Sequence, residues 1–136
     1  MNQQQTIART LEWLNISAHI QQCAFEQYKT IPSQSQGVYV IVNATTTIYV
    51  GKGQIRSRQH KHMDKALAIG QARDTQGWAW LRLNTTIDIV NWHIYYVQLP
   101  SQTQRVAVEG SLIHLLQPLA NDETFLDRAN FNNLFD

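Results

Sequence analysis

The chain has 136 residues, a net charge of +1, 43% hydrophobic and 15% charged residues, which suits one soluble domain with a real core and excludes a global positive field acting on polyanions. Its one cysteine, Cys23, excludes an intrachain disulfide and a thiolate zinc site. No apolar run approaches transmembrane length and Met1 to Gln5 lacks a signal-peptide pattern, so a cytoplasmic location with no membrane partner is expected.

The N-terminal stretch to Ile31 is predicted to be a helical arm. Ile7, Leu11, Leu14 and Ala18 recur at helical spacing, as do Ile20, Cys23, Ala24 and Tyr28. A break near Asn15 is expected, with Ser17 capping a second helix. Nothing in the arm demands chemistry; it packs on the rest or forms a subunit contact, and Cys23 is expected to be a small core residue. Pro32 to Gln36 is a polar connector.

Gly37-Val38-Tyr39-Val40-Ile41-Val42 and Ile48-Tyr49-Val50-Gly51 are predicted to pair as a hairpin. Val38, Val40, Val42, Ile48 and Val50 occupy even positions, whereas Tyr39, Ile41 and Tyr49 occupy odd ones. Side chains alternate faces and opposite residues share a face, so a register whose pairs sum to an even number places the even aliphatics together. It also places Tyr39, Tyr49 and Gly51 together on the other face. That register implies a loop with an odd number of residues around Asn43 to Thr47, and no Asn-Gly pair argues for a two-residue turn.

A helix is predicted from Ile55 to Ile69, stopped by Gly70. Lys52, Arg56, Arg58, His60, Lys61, His62 and Lys65 crowd into this window, and composition alone leaves open whether they make a solvated helix face or a local basic patch. Arg58 and His62 lie four apart and border its apolar side; taken alone, they are a surface pair whose stems cover apolar area. After a loop from Gly70 to Gly77, Trp78 and Trp80 are predicted to sit on a short helix or turn as core anchors. Ile87 to Leu99 is predicted to be a third strand, ended by Pro100.

Ser101 and Gln104 form a predicted capping box for a helix reaching about Gln117, before Pro118. Glu109 heads a stripe continued by Leu112, Ile113 and Leu116. A carboxylate at the head of a core-facing stripe needs compensation, from an ion pair with Arg58 or Arg105, a hydrogen-bond network or a metal ion. The tail, 122–136, carries Phe125, Phe131 and Phe135 and is expected to pack over the core or serve as an interface.

Gly37-Val38-Tyr39 and Tyr49-Val50-Gly51, followed by Ile55-x-x-Arg58, His62, Glu109 and Asn121, resemble the signature of the GIY-YIG nuclease superfamily. The resemblance spans residues 37–121 and implies an α+β (mixed α/β) fold: a central three-stranded antiparallel sheet flanked by helices, here with an N-terminal helical extension. Valine replaces isoleucine in both triplets, Gly53 stands where threonine, serine or alanine is usual, and the stretch from Gly51 to Arg58 is about one residue short.

The family implies a metal-dependent endonuclease with Tyr39, Tyr49, Arg58, His62 and Glu109 as catalytic residues. Glu109 would hold one divalent cation, Mg²⁺ or Mn²⁺, that stabilises the leaving 3′ oxygen. Tyr39 would activate water with His62 as proton acceptor. An ordinary phenol titrates near 10, so Tyr39 requires tuning by positive charge, and Lys52 is the candidate. Arg58 would fork onto the scissile phosphate, Tyr49 would orient it, and Asn121 would brace the end of the Glu109 helix. Gly51, Lys52, Arg56, Lys61 and Asn121 are expected at the substrate. The expected partner is DNA, with RNA as the other candidate; a homodimer through the N-terminal arm and a separate recognition partner are further expectations.

Two other classes compete. A catalytically silent nucleic-acid-binding domain of the same fold is the alternative, though no catalytic polar group is missing. A histidine metal site is disfavoured because His60 and His62 diverge on a helix and His93 has no paired ligand. Gly110-Ser111 lies mid-helix, so serine hydrolase chemistry has no support.

Overall fold

The computed structural model describes residues 1–70 and 73–124. The chain runs α1 (Gln3–Trp13), β1 (Ile20–Ala24), a 3₁₀ helix (Phe25–Thr30), β2 (Gln36–Asn43), β3 (Thr46–Gln54), α2 (Ile55–Leu67), α3 (Gln76–Asn84), a 3₁₀ turn (Ile89–Asn91), β4 (Trp92–Gln98) and α4 (Gln102–Leu116). The α+β class with an antiparallel sheet between helices is as expected, but the sheet has four strands, not three, in the order β1-β4-β2-β3. The tail aromatics Phe125, Phe131 and Phe135 lie outside the described residues.

The fourth strand comes from the arm predicted to be helical. Asn2 opens α1 with a capping box closed by Gln5, and Asn15, at φ 59, turns the chain out of the helix. Ile20 to Ala24 then pairs antiparallel with β4, from Ile20 opposite Val97 to Ala24 opposite His93. The apolar spacing there suits a helix locally, but the unfilled edge of β4 supplies the hydrogen bonds, so tertiary pairing overrides local pattern. The repeat of three in the following 3₁₀ helix drops Phe25 and Tyr28 together into the core. The arm therefore packs on the sheet, and β1 is part of it.

The β2–β3 hairpin keeps the expected even register where it matters. Tyr39 lies opposite Gly51, Val40 opposite Val50 and Ile41 opposite Tyr49. The register then shifts between Ile41 and Val42, Asn43 pairs with Thr46, and only Ala44 and Thr45 remain in the loop, with Ala44 at φ 53. The odd residue expected in the loop is instead absorbed by a bulge at Ile48. Bulged residues share one partner, and Ile48 accordingly joins Tyr39 and Ile41 rather than Val50.

Both faces of the sheet are covered. Val38, Val40, Val42, Val50 and Val97 pack under Ile7 and Leu11 of α1 and Val108 and Leu112 of α4. Tyr39, Ile41, Ile48 and Ile94 pack with Phe25, Ile55, Trp78, Leu81 and Trp92. Trp78 is a core anchor, as predicted, while β4 starts at Trp92 rather than Ile87 because Asp88 turns the preceding segment by accepting from Val90 N at 3.1 Å. α2 ends at Leu67, with Ala68 at φ 54, and α4 ends at Leu116, with Gln117 at φ 49. Ser101 accepts from Gln104 N at 3.3 Å at the start of α4.

The outer edge of β3 is sealed by the chain after α4. Leu119 N donates to Thr47 O at 3.1 Å and Ala120 N to Ile48 O at 2.8 Å. Asn121 continues the seal with its side chain: Oδ1 accepts from Val50 N and Nδ2 donates to Val50 O, both at 2.8 Å. Among the described residues no helix is long and apolar enough to cross a membrane.

Candidate active site

Among the described residues the seal ends at Val50, and the sequence-predicted residues gather there. Tyr39 projects from β2 beneath α2, where its hydroxyl lies 2.6 Å from His62 Nε2. Tyr49 stands beside both, its ring centroid 4.2 Å from that of His62 and 6.3 Å from that of Tyr39. The indole of Trp78 backs the cluster, 5.9 Å from Tyr49 and 5.7 Å from His62. Gly51 makes this packing feasible: a Cβ at that position would fall on the Tyr39 hydroxyl and lie 2.9 Å from Tyr49 Cε1. Removing the side chain opposite Tyr39 is what lets the phenol lie over the strand.

Glu109 reaches the same end of the sheet from α4. Lys52 lies opposite Val38 in the register, on the face that α4 covers, and its Nζ meets Glu109 Oε1 at 3.1 Å. The predicted compensation of Glu109 is thus an ion pair, but with Lys52 rather than Arg58 or Arg105. Arg105 instead donates to the Leu99 and Pro100 carbonyls, both at 2.8 Å. Arg58 is exposed on α2 and passes Gly53, where a Cβ would lie 3.1 Å from its Nε. Gly53 has φ +121, a conformation that L side chains rarely adopt.

Burial dominates the electrostatics of the cluster. Burial, then Tyr49 and Glu109, push Tyr39 well above the ordinary phenol range, with Arg58 pulling the other way. Tyr49 is pushed up to about 12, first by burial and then by Glu123, Glu109 and Asp122. His62 is pushed down to about 3, first by burial and then by Lys65, Arg58 and Lys61, so its imidazole is neutral near pH 7. The cation that eases ionisation of Tyr39 is Arg58, whereas Lys52, the candidate from sequence, is engaged with Glu109. His62 Nδ1 is buried without a partner among the described residues.

Of the remaining predicted residues, Arg56 is partly exposed and Lys61 exposed on α2, beside the site. Asn121 is buried with its amide committed to Val50, so it fastens β3 rather than the end of α4. Two partners escaped the sequence reading. The Lys52–Glu109 pair was findable, since the even register places Lys52 on the α4 face. Trp78 as the back wall was not, because only the tertiary fold brings α3 there. His60 is held apart, its Nδ1 2.7 Å from the Tyr28 hydroxyl.

The donor set fits one kind of metal ion. Among the described residues no three His, Cys, Asp or Glu side chains form a cage. Glu109 is a single, partly exposed carboxylate with one oxygen on Lys52. That suits an ion such as Mg²⁺, which binds through one or two carboxylates plus substrate phosphates and keeps its waters, and does not suit a caged Ca²⁺ or Zn²⁺. A cleft of about 1020 Å³ lies elsewhere, between α1 and α4, and none of the predicted site residues lines it.

Two solved structures are similar in course. Both are crystal structures of the GIY-YIG N-terminal endonuclease domain of UvrC from Thermotoga maritima, as point mutants bound to a catalytic divalent cation. They align at 15% and 14% identity, each over 71% of this chain and 93% of the other, with a TM-score of 0.48. No family model and no curated protein matches the chain. At that level of likeness no chemistry transfers, and this chain's own side chains carry the functional reading.

Proposed function

We propose that the chain is a metal-dependent endonuclease that hydrolyses phosphodiester bonds, with DNA as substrate. The observation that carries the reading is the buried Tyr39 hydroxyl, laid over Gly51 and 2.6 Å from His62 Nε2. A tyrosine placed only for packing does not need a glycine cut away beneath it and a neutral imidazole on its hydroxyl. Glu109 would hold the cation, which when bound supplies charge stabilisation to the departing oxygen.

The chain's residues divide the rest of the work. Water attacks phosphorus as Tyr39 Oη takes its proton and the phenol's own proton passes to His62 Nε2, with Nδ1 bearing the other hydrogen. The phosphorus–3′ oxygen bond breaks, leaving a 5′-phosphate, and the 3′ oxygen takes a proton from solvent. Arg58 offers its guanidinium fork to the phosphate. Arg56 and Lys61 contact neighbouring phosphates, which position rather than specify. Tyr49 packs its ring against His62, tilted by 45°, and holds the imidazole in place beside Tyr39. Asn121 keeps Val50, and so Gly51, in register beneath the phenol.

One observation favours the alternative, a silent nucleic-acid-binding domain: the resting pKa directions oppose proton transfer from Tyr39 to His62. Nicking of supercoiled plasmid separates the readings. Wild type with Mg²⁺ or Mn²⁺ is expected to convert plasmid to open circles, and EDTA or Glu109→Gln to abolish this by at least about 100-fold. Inert wild type across metals, DNA and RNA, with retained binding, establishes the silent domain instead. A single site cuts one strand, so linear product requires two copies or two visits.

A further inference from the structure

Lys52 and Glu109 join β3 to α4 through one contact, Nζ to Oε1 at 3.1 Å, and neither side chain has another hydrogen-bond or ionic partner among the described residues. The pair is not sealed from water: the side chains are 41% and 20% exposed. A carboxylate meant to be locked in place is better served by the bidentate fork of arginine. Lysine is a point charge on a flexible stem, held here by one contact and free to leave.

The site nonetheless needs a cation on that carboxylate. Glu109 raises the pKa of both Tyr39 and Tyr49, so an uncompensated charge there holds the phenols further from ionisation. We infer that Lys52 is a displaceable stand-in: its ammonium occupies Glu109 in the metal-free chain and competes with the divalent ion for the same oxygen. Metal entry then frees the ammonium beside Gly51, on the stretch of β3 that no described residue seals and where the nuclease reading places the scissile phosphate. Metal binding and phosphate recruitment become linked, and by linkage each strengthens the other. The inference rests on the nuclease reading in taking Glu109 as the metal ligand.

The test is Mn²⁺ binding to the full chain without nucleic acid, followed by the electron paramagnetic resonance signal of free Mn²⁺. Removing the competitor in Lys52→Met, with Lys52→Gln as a second variant, is expected to tighten binding about two- to fivefold, the range of a partly exposed ion pair. Lys52→Arg, which keeps the charge, is expected to bind no tighter than wild type. Raising the salt screens the pair and is expected to narrow the gap between wild type and Lys52→Met. Unchanged or weaker binding in both neutral variants overturns the inference and makes Lys52 an orienting residue for the carboxylate. Glu109→Gln reports separately on the reading beneath: if it binds Mn²⁺ as wild type does, Glu109 is not the ligand and both fall.

Discussion

His62 links the chemistry of the site to the stability of the fold. Its folded pKa of about 3 lies below the ordinary histidine value of 6.5, with burial the first cause. Between those values the unfolded chain takes up a proton that the folded chain refuses. Its contribution is therefore intact above about pH 6.5 and is lost on acidification at about 1.4 kcal/mol per pH unit. Urea unfolding at pH 7 and pH 5 is expected to show a steeper loss for wild type than for His62→Gln, which keeps a hydrogen-bonding side chain for Tyr39 without the titration. Equal slopes would place the protonation of His62 outside the folding equilibrium. The proximity of Tyr39, Tyr49 and Gly51 is legible in the sequence from their shared parity, and Arg58 and His62 share a helix through their spacing of four. Their proton affinities are not legible there, since those depend on the Trp78 wall and on which cation stands nearest, and both are set by packing between distant segments.

At the scale of elements, Asn121 acts as an extra residue of backbone along β3. Substituting alanine removes the partner of both Val50 N and Val50 O, on a residue that is fully buried. The expected cost is roughly 2–5 kcal/mol, since two buried polar groups lose their bonds. Faster amide exchange at Val50, with α1 still protected, would place the damage at the β3 edge; an unchanged Val50 would remove Asn121 from the support of Gly51. The hairpin and α2 could be read from period, and α4 from the Ser101 cap, though α2 ends at Leu67 with Ala68 left-handed rather than at Gly70. The bulge at Ile48 could not, because parity fixes which residues share a face but not where a strand takes up an extra one. β1 was misread for a deeper reason: five residues with helix-compatible spacing become a strand only because β4 has an open edge.

For the whole molecule, the position of β1 changes what the N-terminal segment is for. Phe25, Tyr28 and Ile31 are core residues, and Ile7 and Leu11 cover the valine face of the sheet. A chain beginning at Gly37 is therefore expected to lose its cooperative thermal transition, rather than yield a folded domain whose mass reports on dimerisation. A sharp melt from that truncation would show that β2, β3 and β4 suffice. The central hairpin announces itself in a single stretch of sequence, whereas the architecture around it depends on partners far along the chain. That separation has a consequence for synthesis. Ile20 pairs with Val97. At a synthesis rate of about 5–20 residues per second, the first strand waits roughly 4–15 s on the ribosome for its neighbour. The hairpin, closed by a two-residue turn, has no such delay. During the wait β1 keeps Gln21 and Gln22, both exposed in the finished fold, as its contribution to staying in water.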